Sequence, residues 1–204
     1  MDRELEQLRK VMEGSRVRVV KCGIGKVNAA LGAQAMINEF RPDCIVSSGC
    51  AGGNGDDINI RDVVVSTELT YHDVYCGRAI DDSTVYGQVQ GMPARYQADP
   101  YLLRRAGELK MDGLHQGLIV TGDWFVDSKE KMLSVVNHFP EAKAVDMESA
   151  AIAQACYINH VPFISFRVVS DIPLRDTSAQ MYHEFWSQVA AQSFLLTRTF
   201  VESL

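Results

Sequence analysis

Phe163-Ile164-Ser165-Phe166-Arg167-Val168-Val169-Ser170-Asp171 decides the fold class of this 204-residue chain. Only Ser165 and Arg167 interrupt the apolar run from 163 to 169, the pattern of a strand covered on both faces. A carboxylate at the far end of such a strand, here Asp171, must be solvated by a pocket or satisfied by partners. It can also simply cap the next turn, and position alone leaves the two open.

Working outward, Ala144-Val145 leads through Asp146-Met147-Glu148-Ser149 into a helix reaching about Tyr157. A last amphipathic helix covers about Met181 to Val201. Gly117-Leu118-Ile119-Val120-Thr121 reads as a strand closed by Gly122-Asp123, preceded by a helix over 100–110. Asp62-Val63-Val64-Val65-Ser66 and Cys44-Ile45-Val46-Ser47-Ser48 read as two more strands, the latter ending in Gly49-Cys50-Ala51-Gly52-Gly53, a segment where backbone can approach a ligand closely. Between residues 73 and 97, Gly77, Gly87, Gly91 and Pro93 occur without periodicity, which predicts a long irregular loop. Val17-Arg18-Val19-Val20 reads as a strand, and the turn Gly23-Ile24-Gly25-Lys26 starts a helix from Val27 to Phe40 that Arg41-Pro42-Asp43 ends. Asp2 can cap a first helix carrying Leu5, Leu8, Val11 and Met12 on one face. Strands alternating with helices give an α/β chain with a parallel or mixed central sheet, whose sites gather at the carboxyl ends of the strands.

The chain contains 47% hydrophobic and 23% charged residues, 15 Gly and 6 Pro, a composition that folds and that excludes disordered and collagen-like classes. No repeat or linker divides it, so residues 1–204 are expected to form one domain. A net charge of −6 without basic runs disfavours nucleic-acid binding. No apolar stretch is long enough for a membrane span, and the opening Met-Asp-Arg-Glu-Leu-Glu is too charged for a secretion signal; a cytoplasmic location is expected. The five cysteines, an odd set without a C-x-x-C pair or zinc-ligand spacing, read as reduced packing residues and imply no metal.

Several signatures fail in detail. Gly23-Ile24-Gly25 lacks the third glycine of a dinucleotide fingerprint, since Asn28 stands there; a phosphate loop would need glycine at Val20 and a hydroxyl at Val27. Ser48-Gly49-Cys50-Ala51-Gly52 approaches a cysteine nucleophile elbow, but Ser48 replaces its first glycine. What remains is acidic residues at element ends. Glu148, at a helix start, either complements the helix N-terminus or faces a site; Glu4, in a first helical turn, is by itself an ordinary solvated residue. Met147 and Phe125 are ordinarily core types.

Taken together, Met1-Asp2-Arg3-Glu4-Leu5, Cys22-Gly23-Ile24-Gly25-Lys26-Val27, Ser48-Gly49-Cys50-Ala51-Gly52-Gly53, Tyr71-His72-Asp73, Thr121-Gly122-Asp123-Trp124-Phe125-Val126, Ala144-Val145-Asp146-Met147-Glu148-Ser149 and Arg167-Val168-Val169-Ser170-Asp171 resemble the nucleoside phosphorylase superfamily. Within it, they resemble the 5′-methylthioadenosine/S-adenosylhomocysteine nucleosidases. The resemblance implies a three-layer α/β/α fold with a mixed central sheet, here lacking the family's first strand and a following hairpin. It implies hydrolysis of a purine nucleoside without a cofactor. Asp171 would protonate N7 of the departing adenine, held by Ser170, and Glu148 would bind the ribose hydroxyls with Met147 against the sugar. Glu4 would activate water, Phe125 would stack on the base, and Val126 would hydrogen-bond it through its backbone. Ile24, Cys50, Ala51, Gly52 and Tyr182 would line the remainder of the pocket. Arg167 is the candidate cation, and with no second arginine in the glycine loops, water is favoured over phosphate as nucleophile. The resemblance also implies a homodimer in which the loop from Tyr86 to Tyr96 closes the neighbour's pocket. The missing strands predict an exposed sheet edge and a loosened Glu4. The alternatives are hydrolysis or phosphorolysis of another purine nucleoside, such as aminodeoxyfutalosine, and a catalytically impaired nucleoside-binding protein.

Overall fold

The computed structural model describes residues 2–77, 83–175, 185 and 191–204. Helix α1 (Asp2–Val11) comes first, followed by α2 (Lys26–Phe40), β1 (Ile45–Gly53), β2 (Val63–Tyr71), β3 (Tyr96–Gln97) and α3 (Pro100–Gly107). Next are β4 (Leu114–Thr121), α4 (Lys129–Val136), β5 (Ala142–Asp146), α5 (Ser149–Asn159), β6 (Phe163–Asp171) and α6 (Ala191–Glu202). The sheet order is β3-β2-β4-β5-β1-β6, and β6 pairs back onto β2. Five strands therefore close into a ring, with the short β3 attached outside. The sheet is mixed: β1–β6, β2–β4 and β4–β5 run parallel, while β1–β5, β2–β6 and β2–β3 are antiparallel.

Every residue of β6 is buried, as expected of a strand with cover on both faces. On one side Ala29 and Ala33 of α2 and the alanine-rich α5 share a core with Ile45, Val64 and Ile119. The small residues let these two helices approach each other closely. On the other side Val11, Leu102, Phe194 and Phe200, from α1, α3 and α6, pack on Val63, Ile164 and Phe166. Met132 and Val135 bring α4 onto Val120 and Val145. The helix ends follow familiar chemistry: Asp99 accepts from the N–H groups of Tyr101 and Leu102 ahead of Pro100, and Ser128 caps α4.

Several expectations change. Residues 17–20 are not a strand; among the described residues they have no sheet partner, and alternating valines cannot supply one. The strand expected at 44–48 extends through the glycine run 49–53, which is the second half of β1, paired to β6 through Ala51 and to β5 through Gly52 and Gly53. Helix α4 escaped the sequence reading, and α5 starts at Ser149, so Met147 and Glu148 precede it. Helix α3 ends at Gly107, short of residue 110. The last helix is described from Ala191 onward, and Tyr182 lies outside the described residues. The loop over 73–97 is irregular where described, apart from β3.

Candidate active site

Glycine geometry brings distant segments to one place. At Gly25 the backbone takes φ 84°, open to glycine at no steric cost, and its N–H donates to Glu148 Oε1 at 3.2 Å. At Gly49 a Cβ would lie 2.2 Å from Arg167 Nη1, so the absence of a side chain on β1 makes room for the guanidinium of β6. The carboxyl ends of β1, β5 and β6 thereby open into a cavity of about 470 Å³.

Glu4, Glu148 and Asp171 all reach this cavity. So do Ile24, Cys50, Ala51 and Gly52 from the glycine segments, Phe125 and Val126 after β4, and Met147, Arg167 and Ser170. The structure thus brings together every residue singled out in the sequence except Tyr182. It also adds residues to which the sequence reading assigned no role, chiefly Ser47, which lies in no motif, and Trp124 and Asp146, which lie within two of them. Asp146 was legible as an acid at a strand end; the period-two alternation of β1, which turns Ser47 inward, is buried in a run of small residues.

Asp171 ends β6, is 7% exposed, and accepts a hydrogen bond from Ser170 Oγ at 2.6 Å. Burial raises its pKa, opposed by that hydrogen bond, so the protonated acid persists to higher pH than that of a free aspartate. Ser170 Oγ also lies 3.2 Å from the carbonyl oxygen of Ala51, tying the acid to β1. Burial pushes Glu148 up to about 7, against the pull of Arg167 and with the push of Asp146. Glu148 stands at the N-cap of α5 but makes no capping bond; the helix N-terminus is served by Asp146, which accepts from the N–H groups of Glu148 and Ser149.

Glu4 Oε1 accepts from the Cys50 N–H at 3.1 Å. Among the described residues no strand pairs with the second edge of β1 between Ile45 and Ala51, so the predicted open edge is present. The predicted loosening of Glu4 is not: its carboxylate takes the place a neighbouring strand's carbonyl would hold. Burial pushes the Cys50 thiol well above its usual range, with Glu4 adding to the effect, which removes it as a thiolate nucleophile. Arg167 Nε donates to Asp146 Oδ2 at 2.6 Å, and the neighbouring acids keep the guanidinium cationic despite burial.

Phe125 is 43% exposed at the cavity mouth, whereas Val126 packs into the α4 core. The loop carrying them is latched: Asp123 accepts from the Lys26 N–H at 2.7 Å and donates its own N–H to Asp73 at 2.8 Å. Lys26 Nζ closes the latch on Asp73 at 2.8 Å. His72, fully buried beside Trp124 with ring centroids 4.8 Å apart, supports the loop from beneath.

The family model of the phosphorylase superfamily matches residues 4–202. A 5′-methylthioadenosine/S-adenosylhomocysteine nucleosidase of Lysinibacillus sphaericus is 39% identical over 200 residues, covering 94% of this chain and 84% of that protein. A nucleosidase of the same description from Neisseria meningitidis, solved in complex with methylthio-immucillin-A, superposes with a TM-score of 0.88 at 38% identity. That alignment covers 100% of this chain and 96% of the other. A Colwellia psychrerythraea nucleosidase in complex with adenine matches with a TM-score of 0.82 at 34% identity, over 91% and 77% of the two chains. The chain belongs to the phosphorylase superfamily and, within it, to the 5′-methylthioadenosine/S-adenosylhomocysteine nucleosidases.

Proposed function

We propose that residues 1–204 form one nucleosidase domain that hydrolyses the N-glycosidic bond of 5′-methylthioadenosine and S-adenosylhomocysteine. The products are adenine and the corresponding 5-thioribose derivative. As the C1′–N9 bond breaks, its electron pair leaves with adenine, and Asp171 gives a proton to N7. Glu148 grips the ribose hydroxyls with Met147 against the sugar, and the nearby carboxylates stabilise the oxocarbenium character that develops at C1′. Glu4 takes a proton from the water that attacks C1′. Phe125 stacks on the base and the Val126 backbone hydrogen-bonds it, while Ile24, Cys50, Ala51 and Gly52 shape the walls.

The observation that carries water over phosphate is the charge arrangement. Arg167 is committed to Asp146 at 2.6 Å, and Glu4 and Glu148 share the same cavity. A phosphate dianion would meet two carboxylates and one already neutralised cation. The assay is chromatographic: adenine appears with 5-methylthioribose from methylthioadenosine in phosphate-free buffer, and added phosphate neither speeds release nor yields a sugar 1-phosphate. Phosphate-dependent release would reverse the reading.

A homodimer fits the same site. Val27 and Leu31, one turn apart on α2, are 69% and 65% exposed, and Ile24 at the cavity rim is 49% exposed. An apolar face beside the site is suited to a second copy, which would finish the 5′ pocket. Tyr96 faces the core against Tyr71, so the partner contact from the 86–96 loop falls to its other residues. Leu31→Glu should convert a sedimenting dimer to monomer and weaken binding of the thioether substrates; a wild-type monomer would remove the idea. No helix among the described residues is long and apolar enough to cross a membrane. Five free thiols accord with a reducing, cytoplasmic setting.

A further inference from the structure

Asp146 takes no part in the chemistry above, yet donors surround its carboxylate. It accepts from Thr121 Oγ1 at 2.5 Å, Arg167 Nε at 2.6 Å and the Ser149 hydroxyl, besides the two helix N–H groups at 3.3 Å. Arg167 Nε also lies 3.0 Å from Ser149 Oγ, and its Nη2 donates to Ser47 Oγ at 3.1 Å. Held in this way, Nη2 stops 3.9 Å from Glu148 Oε2, inside ion-pair range and beyond hydrogen-bond range. Glu148 takes its hydrogen bond from Gly25 instead.

We propose that Asp146, together with Ser149, is a positioning residue that restrains Arg167 and so keeps the Glu148 carboxylate available to the sugar hydroxyls. The inference rests on the reading of Glu148 as the ribose-gripping group. A guanidinium released beside a buried carboxylate closes into a charge-assisted pair, and a sugar hydroxyl, being neutral, competes poorly with it. Asp146 also does the capping at the start of α5 that Glu148 would otherwise do. The two acids thus divide the work: the first holds the cation and the helix, and the second is left facing the cavity.

Asp146→Asn keeps the shape and removes the charge. The groups facing Glu148 are Arg167 on β6, Asp146 on β5, Glu4 on α1 and Cys22 before α2. Losing the negative charge of Asp146 leaves Arg167 to favour the ionised Glu148. The acid limb of kcat/KM should therefore move to lower pH, while KM for methylthioadenosine rises about tenfold or more, the loss of a hydrogen bond to a charged group, with kcat changing less. Ser149→Ala should shift KM in the same direction by a smaller factor. Asp146→Glu combined with Ser149→Ala, a longer acid in the space of the lost hydroxyl, should restore KM. Direct binding separates this from the activity reading: in Asp146→Asn the affinity for methylthio-immucillin-A should fall as KM rises, and that for adenine, which has no sugar, should not. A wild-type chain that releases no adenine overturns the activity reading alone, and the binding contrast still decides the restraint. A folded Asp146→Asn with unchanged KM, acid limb and analogue affinity overturns the restraint. If Asp146→Asn does not fold, an unaltered KM and analogue affinity in Ser149→Ala does so.

Discussion

Asp171→Asn should leave the fold intact and reduce adenine release by about 10²- to 10⁴-fold, the range expected for loss of a general acid. Asparagine keeps the size of the side chain and an oxygen to accept from Ser170 Oγ, now 2.6 Å away, so the thermal melt should barely move. What disappears is the proton. Adenine leaves poorly as an anion, and among the described residues the other acid of the cavity with a raised pKa, Glu148, is assigned to the sugar. The pH profile provides an independent reading. Burial raises the pKa of Asp171, so wild-type activity is present below that pKa and lost as pH rises through it. The variant should lack that basic limb. Equal adenine release by the two proteins would show that the acid lies elsewhere.

Glu4→Gln should lower hydrolysis by about 10²-fold or more, the contribution of a general base, while adenine affinity stays at the wild-type value. Glutamine can still accept from the Cys50 N–H, where Glu4 Oε1 sits at 3.1 Å, so position is retained and only the proton acceptor is lost. Glu4→Ala offers a further check. Azide, a nucleophile with no proton to surrender, should restore adenine release and leave the sugar as its C1′ azide. Wild-type turnover in Glu4→Gln would remove Glu4 from the chemistry and leave it as a structural cap on the β1 edge.

The sequence disclosed β6 because burial on both faces writes an apolar run broken only at Ser165 and Arg167, and it made Asp171 a candidate because an acid ending such a run needs either a pocket or a turn to cap, a choice left to the resemblance. It disclosed Glu4 and Glu148 only through the order of several short motifs, since a single acid in a first helical turn has an ordinary reason to be there. Helix α4 was missed although Ser128 caps it, because its eight residues are too few for a firm period. The valines at 17–20 misled because alternation describes a strand's faces and says nothing about whether a partner lies beside it. The restraint on Arg167 was invisible for a similar reason. Its partners Ser47, Asp146 and Ser149 are common residues, and they converge only once three strands are in register.

The closure of β6 onto β2 joins Val63–Val65 to Phe166–Val168, segments about a hundred positions apart along the chain. Native pairings this remote are entropically expensive to form early, so the topology favours a slow maturation in which local helices precede the seam. Because Arg167 and Asp171 ride on the strand that makes the seam, a nascent chain that has not yet joined it holds no assembled acid or cation. Catalytic competence should then arrive in one late step, together with the last of the cooperative protection against amide exchange.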